Sequence, residues 1–172
     1  QELGGMLAVG VKHIEVYRKP RIAVLSSGDE LVPPDIAPGP GQVRNINSYT
    51  ISALILDNGG NPIDYGIMPD KIDQMRTMMQ KALFECDMMI VTAGSSTSTR
   101  DLTAGIINDL GSPGILSHGI NVRPGKPTIF AVCDGKPVIG LPGNPVSALV
   151  IAIMFVVPVI DKLSGRIKQR IF

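Results

Sequence analysis

Short apolar runs alternate along this chain with longer stretches whose apolar residues recur at helical spacing. Arg21–Ser26 (RIAVLS) is short, rich in β-branched residues and bounded by Pro20 and Gly28, which predicts a buried strand. Asn61–Met68, Met88–Thr92, Ile115–Val122, Thr128–Val132 and Val138–Leu141 predict five more. Between them, Asn45–Asn58 places Ile46, Ile51, Leu54 and Ile55 on one face and stops at Gly59-Gly60, as a helix does. Asp70–Glu85 carries Ile72, Met75, Met79, Ala82 and Leu83 at the same period, so its methionines are expected to fill the core. Leu102–Leu110 and Val146–Leu163 complete the helices. Alternation of this kind calls for parallel pairing with right-handed crossovers. The expected fold is therefore α/β, a three-layer α/β/α sandwich around a mostly parallel sheet.

Such sheets collect ligands at the carboxyl ends of their strands. The loops predicted there are 26–30 (SSGDE), 68–70 (MPD), 93–101 (AGSSTSTRD), 123–127 (RPGKP) and 140–145 (GLPGNP). Each carries glycine, hydroxyl, carboxylate or cation, and all are expected to open on one edge. In the last of them an apolar strand enters Pro142-Gly143-Asn144-Pro145 and leaves as a helix, with Ser147 in its first turn. A helix start offers backbone N–H groups and the positive end of a dipole to an anion; the same sequence also serves as a plain turn stiffened by two prolines.

The balance of 16 basic and 15 acidic residues gives a net charge of +1, and aromatics make up 4% with no Trp. Neither the charge of a nucleic-acid binder nor a base-stacking surface is present, so no nucleic-acid partner is expected. A content of 44% apolar residues suits one well-packed domain. Nineteen Gly and fourteen Pro imply many sharp turns. Cys86 and Cys133 form neither a disulfide framework nor a zinc motif, which predicts free thiols in a reducing cytoplasm. No signal peptide is expected. The uncharged run Val138–Ile160 is broken by Pro142, Gly143, Asn144, Pro145 and Pro158, and reads as a core helix with no membrane role.

Glu30, Asp70 and Asp101 stand in three of the five loops. Asp70 and Asp101 each precede a predicted helix and can serve as N-caps. Taken as a set, the three acids suit a hard cation such as Mg²⁺ that shares its ligands with a phosphate. Gly94, Ser95, Ser96, Thr97 and Ser98 form a loop of small residues that can wrap a phosphate, although they lack a P-loop ending. Arg123, Pro124, Gly125 and Lys126 hold two cations on a turn stiffened by prolines, which suits an oxyanion. No Ser-His-Asp or Cys-His arrangement points to covalent catalysis.

With these residues in hand, the chain resembles the molybdopterin-binding domain of the molybdopterin molybdenumtransferase family (MoeA, and the gephyrin E domain in animals). The matching segments are KPRIAVLSSGDELV (19–32), GPGQVRNINSYTISALI (39–55), GIMPD (66–70), AGSSTSTRDLT (93–103), INVRPGKPT (120–128) and GLPGNPVSAL (140–149). They span nearly the whole chain in family order. The resemblance implies the fold of MogA and MoaB. It implies molybdopterin or adenylylated molybdopterin and molybdate as substrates, with Mg²⁺ assisting release of AMP. Glu30, Asp70 and Asp101 match the family's acidic positions for catalysis and metal. Loops 93–98, 123–127 and 140–147 match its pterin and phosphate contacts.

The same resemblance divides the chain into a lead-in (1–19), the molybdopterin-binding domain (20–165) and a tail (166–172). It implies a homodimer in the full-length protein, a molybdopterin adenylyltransferase as partner, and little activity for the domain alone. AGSSTSTRD departs from the commoner loop, which is like GGVSVGDYD, and Gly119 stands where a lysine is common. Arg100-Asp101-Leu102-Thr103 is similar to the RDxT of MogA adenylyltransferases. A MogA-like adenylyltransferase, or a scaffold that binds the pterin without chemistry, is the alternative.

Overall fold

The computed structural model describes residues 2–93 and 97–166, with side chains from 97 to 100 excepted. Strand β1 (Arg21–Ser27) lies inside a six-stranded sheet with β4 (Asn61–Met68), β5 (Met88–Ala93), β6 (Pro113–His118), β7 (Ile129–Cys133) and β8 (Lys136–Leu141). The strand order is β4-β1-β5-β8-β7-β6. The first four run parallel, and β7 runs antiparallel to both its neighbours. A separate two-residue parallel ladder joins β2 (Leu31–Val32) to β3 (Val43–Arg44), closing off the Pro- and Gly-rich segment between them. The helices are α1 (Glu2–Ala8), α2 (Asn47–Asp57), α3 (Ile72–Glu85), α4 (Thr97–Asp109), α5 (Pro145–Ile151) and α6 (Val157–Leu163). α1 lies within the expected lead-in and buries no residue.

The sheet has a core on each face, which is why its strands read as continuous apolar runs. Ile22, Val24, Met88 and Ile90 point to the layer of α2, α5 and α6; Ala23, Leu25, Met89 and Val91 point to α3 and α4. Met75 and Met79 are fully buried, as core-filling methionines should be. Strict parallel alternation fails at β7 and β8. Their connection is only Asp134-Gly135, both at positive φ (50° and 81°), a hairpin turn too short for a crossover.

α5 and α6 form one helical rod through a π-helical segment, Ala152–Val156, in which the Val157 N–H donates to the Ala152 carbonyl five residues back. Pro158 has no N–H to donate and its ring crowds the preceding turn, so a widened turn is the local solution. The rod, Pro145–Leu163, is long and apolar enough to cross a membrane by length and composition. In this fold Ala148, Ile151, Ala152, Val156 and Ile160 pack against the sheet.

Candidate functional site at the carboxyl edge of the sheet

The strand registers fix where the loops lie. Ser27 pairs with Met68 and with Ala93, Thr92 with Leu141, Ile129 with Gly140 and His118 with Ile129. The loops after β1, β4, β5, β6 and β8 therefore leave the sheet along one edge, as the pattern of strands and polar loops implied. A cleft of about 560 Å³ opens there. Ser27, Thr92 and Ala93 line it at the strand ends, Glu30 from the β1–β2 turn, Asn47 from the start of α2, and Gly143 and Asn144 from the PGNP bend.

Beneath it runs a buried polar chain that the sequence reading did not identify. Thr92 Oγ1 donates to Ser26 Oγ at 3.0 Å, and Ser26 Oγ donates to Asn45 Oδ1 at 3.2 Å. That oxygen also accepts the Ser48 N–H at the head of α2. Satisfied buried polar groups of this kind hold loops at fixed spacing. The available signal was the cluster of Asn45, Asn47 and Ser48 before an apolar helix. The ladder of β2 and β3 completes the wall: the Val43 N–H donates to the Glu30 carbonyl and the Asn45 N–H to the Val32 carbonyl, both at 2.8 Å.

Glu30 is half-buried and its carboxylate folds back over Gly28, whose φ is +142°. A Cβ at Gly28 would lie 2.7 Å from the Glu30 carboxyl carbon, so the glycine is what allows this placement. Asp29 ties this turn to the next loop, because its Oδ1 accepts the Asp70 N–H at 3.1 Å.

The PGNP bend caps α5. Asn144 Oδ1 accepts the Ser147 N–H at 3.2 Å and the Ser147 hydroxyl at 3.3 Å, and Pro145 opens the helix. The cap changes the expected anion surface. Pro145 has no N–H and that of Ser147 is already used, so the bend faces the cleft through Gly143 and Asn144. Asn47 Nδ2 donates to the Gly143 carbonyl at 2.9 Å and pins the bend to α2.

The loop with Arg123 and Lys126 is braced independently. The Gly119 N–H donates to the Thr128 carbonyl, the Ile120 N–H to the Lys126 carbonyl, and Thr128 Oγ1 to the Gly125 carbonyl at 2.6 Å. Gly125 is buried at φ +122° against Ile151, where a side chain would collide. The Arg123-Pro124 bond is cis. Arg123 and Lys126 are exposed, and neither is among the residues lining the cleft.

Two expected helix caps are corrected. α3 starts at Ile72 with an extended Lys71 before it and no side-chain cap, so Asp70 does not cap that helix. α4 starts at Thr97, which places Asp101 inside the helix. Asp101 is exposed and lines a different groove, of about 500 Å³, with Ile72, Arg76 and Leu102. Among the described residues no group of three or more His, Cys, Asp or Glu could hold a metal ion. Glu30, Asp70 and Asp101 therefore do not form the three-acid cluster that was expected. Gly94, Ser95 and Ser96 lie outside the described residues, as do the side chains of Thr97 and Ser98. Cys86 and Cys133 are buried free cysteines, and burial pushes both thiols up, away from nucleophilic use.

Residues 23–162 match the family described as "Probable molybdopterin binding domain". A molybdopterin molybdenumtransferase of Nostoc is 38% identical over 170 residues, covering 97% of this chain and 39% of the relative. The Haemophilus influenzae molybdopterin molybdenumtransferase is 32% identical, covering 94% of this chain and 39% of its own. The chain thus spans about two fifths of the length of these relatives. The crystal structure of a molybdopterin biosynthesis MoeA protein from Pyrococcus horikoshii superposes with a TM-score of 0.83 at 39% identity, covering 95% of this chain and 40% of that one. MoaB of Thermus thermophilus, at 16% identity and a TM-score of 0.61, shares the fold. The chain belongs to the molybdopterin-binding domain family, in the form found within MoeA-type proteins.

Proposed function

We propose that this chain is the molybdopterin-binding unit of a molybdenum insertase. It binds adenylylated molybdopterin at the carboxyl edge of the sheet and, within the longer protein, serves transfer of molybdate with loss of AMP. The observation that carries this reading is the cleft of about 560 Å³, a size suited to a nucleotide-like ligand, walled by the segments that resemble the family. Its strand-end floor is buried and its walls are cross-tied, so a bound heterocycle is oriented and water is displaced.

Arg123 and Lys126, on their braced loop, are assigned to the substrate's phosphates or to molybdate. Gly94 to Ser98 are assigned to the phosphates by the resemblance. A magnesium ion, when bound with those phosphates, would neutralise charge as the phosphoanhydride breaks. Mg²⁺ commonly takes one or two carboxylates and leaves its other positions to phosphate and water. Glu30, which lines the cleft, fits that requirement and would hold it, with Asp70, whose backbone is tied to the Glu30 turn through Asp29, as the second carboxylate. Asp101, in its separate groove, is assigned to catalysis only with the longer protein's other parts in place. A homodimer of the longer protein and an adenylyltransferase that supplies its substrate belong to the same proposal.

Titration of the folded chain with adenylylated molybdopterin and Mg²⁺ tests it. Saturable binding is expected, and no binding by a chain with native circular dichroism overturns the reading. A second reading, a molybdopterin adenylyltransferase, is favoured by Arg100-Asp101-Leu102-Thr103. Release of pyrophosphate from ATP in the longer protein would select it, whereas release of AMP selects the insertase. Pterin binding without turnover would select a scaffold.

A further inference from the structure

Asn47 does two things at once, and only one of them is satisfied. Its Nδ2 donates to the Gly143 carbonyl at 2.9 Å. A carbonyl can only accept, so the amide cannot be flipped without setting two acceptors face to face. The side-chain oxygen is therefore fixed at the other end, where it is buried and has no hydrogen-bond partner. Ser27, at the end of β1, is fully buried and its hydroxyl is likewise unpartnered. Both residues line the cleft. Its remaining lining includes the apolar Leu31, Val43 and Ala93 and the acceptor Glu30, with no Lys or Arg among the described residues.

A buried acceptor left unpaired is costly, and the cost is relieved by anything that brings an N–H to it. Apolar walls beside acceptor edges, which the described residues supply, suit the flat face and amino edge of a heterocycle. Building on the function proposed above, we propose that Asn47 selects the ligand's ring. Its Oδ1 accepts a hydrogen bond from an exocyclic amino group on a planar nitrogen heterocycle, and Ser27 Oγ takes a second contact on the same ring. Two rings of the proposed substrate carry such an amino group, the pterin at its 2-position and the adenine at its 6-position.

Matched probes tell these apart. Affinities of the chain would be measured for pterin-6-carboxylate against lumazine-6-carboxylate, and for AMP against IMP. In each pair an amino group is exchanged for an oxo group. One pair is expected to show about a tenfold preference for the amino form, and that pair identifies the ring. Asn47→Asp keeps an acceptor toward the cleft but sets its other oxygen against the Gly143 carbonyl, so overall affinity is expected to fall while the preference is retained. Asn47→Leu removes it, reducing the ratio to within about twofold. The ratio is the readout because a cleft that is merely loosened weakens both members of a pair alike. Equal affinities within both pairs, as a trapped water on Asn47 would give, overturn the inference, as does failure of all four probes to bind. If adenylylated molybdopterin still binds in those cases, the pterin-binding function stands. If Asn47→Leu does not fold, the ratios in the unaltered chain and in Asn47→Asp decide.

Discussion

Gly28 shows how much a single position can determine. At φ +142° it adopts a backbone conformation that side chains rarely tolerate, and Glu30 occupies the space a Cβ would need. Gly28→Ala is expected to destabilise the fold by about 1–3 kcal/mol and to swing the Glu30 carboxylate away from the cleft. Chemical denaturation measures the first effect, and Mg²⁺-dependent ligand binding measures the second. Gly28 was visible in the sequence as a turn residue, but not as the seat of Glu30, because that role depends on a carboxylate two residues on folding backwards. Asn47 was missed for a similar reason: its partner, Gly143, is 96 positions away. Ser27 was noted only as part of a polar loop, since burial of one hydroxyl is a property of the packed sheet.

A second residue-scale case is the clasp at the opposite edge. Arg18 Nη1 and Nη2 donate to the two carboxylate oxygens of Asp87, which also accepts the Arg21 N–H at 2.8 Å. The Arg18 guanidinium holds the Asp87 carboxyl below the usual carboxylate range. A depressed folded-state pKa contributes stability that is present above the unfolded value, near 4, and is lost as pH falls through the folded value. Asp87→Asn should therefore cost stability at pH 7 and cost progressively less as the pH falls below about 4. Because the Arg18 side chain is 68% exposed, solvent screening keeps the ion pair's contribution small. Denaturant midpoints of both proteins between pH 7 and pH 3 check the sign.

Among the elements, the helices with a clear apolar stripe were legible. α2 and α3 match their expected spans within two residues at each end, since burial of a helical face is written into the 3.6-residue period. α4 was legible only from Leu102, because the preceding Ser-Thr run has weak helical preference and its helix start follows the strand before it. Asp134-Gly135 marks the antiparallel β7–β8 hairpin in the sequence, a signal that β–α alternation alone does not capture. β2 and β3, two residues each, leave no periodicity to read. Asn144→Ala removes the acceptor for Ser147 and should cost about 1 kcal/mol, while Asn144→Ser should recover most of it. Thermal denaturation checks the order.

Across the whole molecule, the two edges of the sheet carry different work. At the amino edge the Tyr17 ring lies against Gly165, close to the Arg18–Asp87 clasp, so the segment before β1 meets the turn after α6 there. At the carboxyl edge a cleft whose described lining carries Glu30 but no Lys or Arg is set apart from a braced loop bearing Arg123 and Lys126. That separation makes a prediction about salt. If the loop attracts the anionic part of the ligand, Arg123→Ala and Lys126→Ala should each weaken adenylylated molybdopterin several-fold at low ionic strength. The loss should shrink toward none near 1 M salt, because both side chains are exposed and charge attraction is then screened within about 3 Å. The same variants should leave the neutral-ring preference set by Asn47 unchanged, since neither cation lines the cleft. Binding measured at three salt concentrations, with one phosphate-bearing ligand and one free pterin, separates the two halves of the rim. A uniform loss for both ligands at every salt concentration would mean that the loop supports the cleft mechanically and that its charge is incidental.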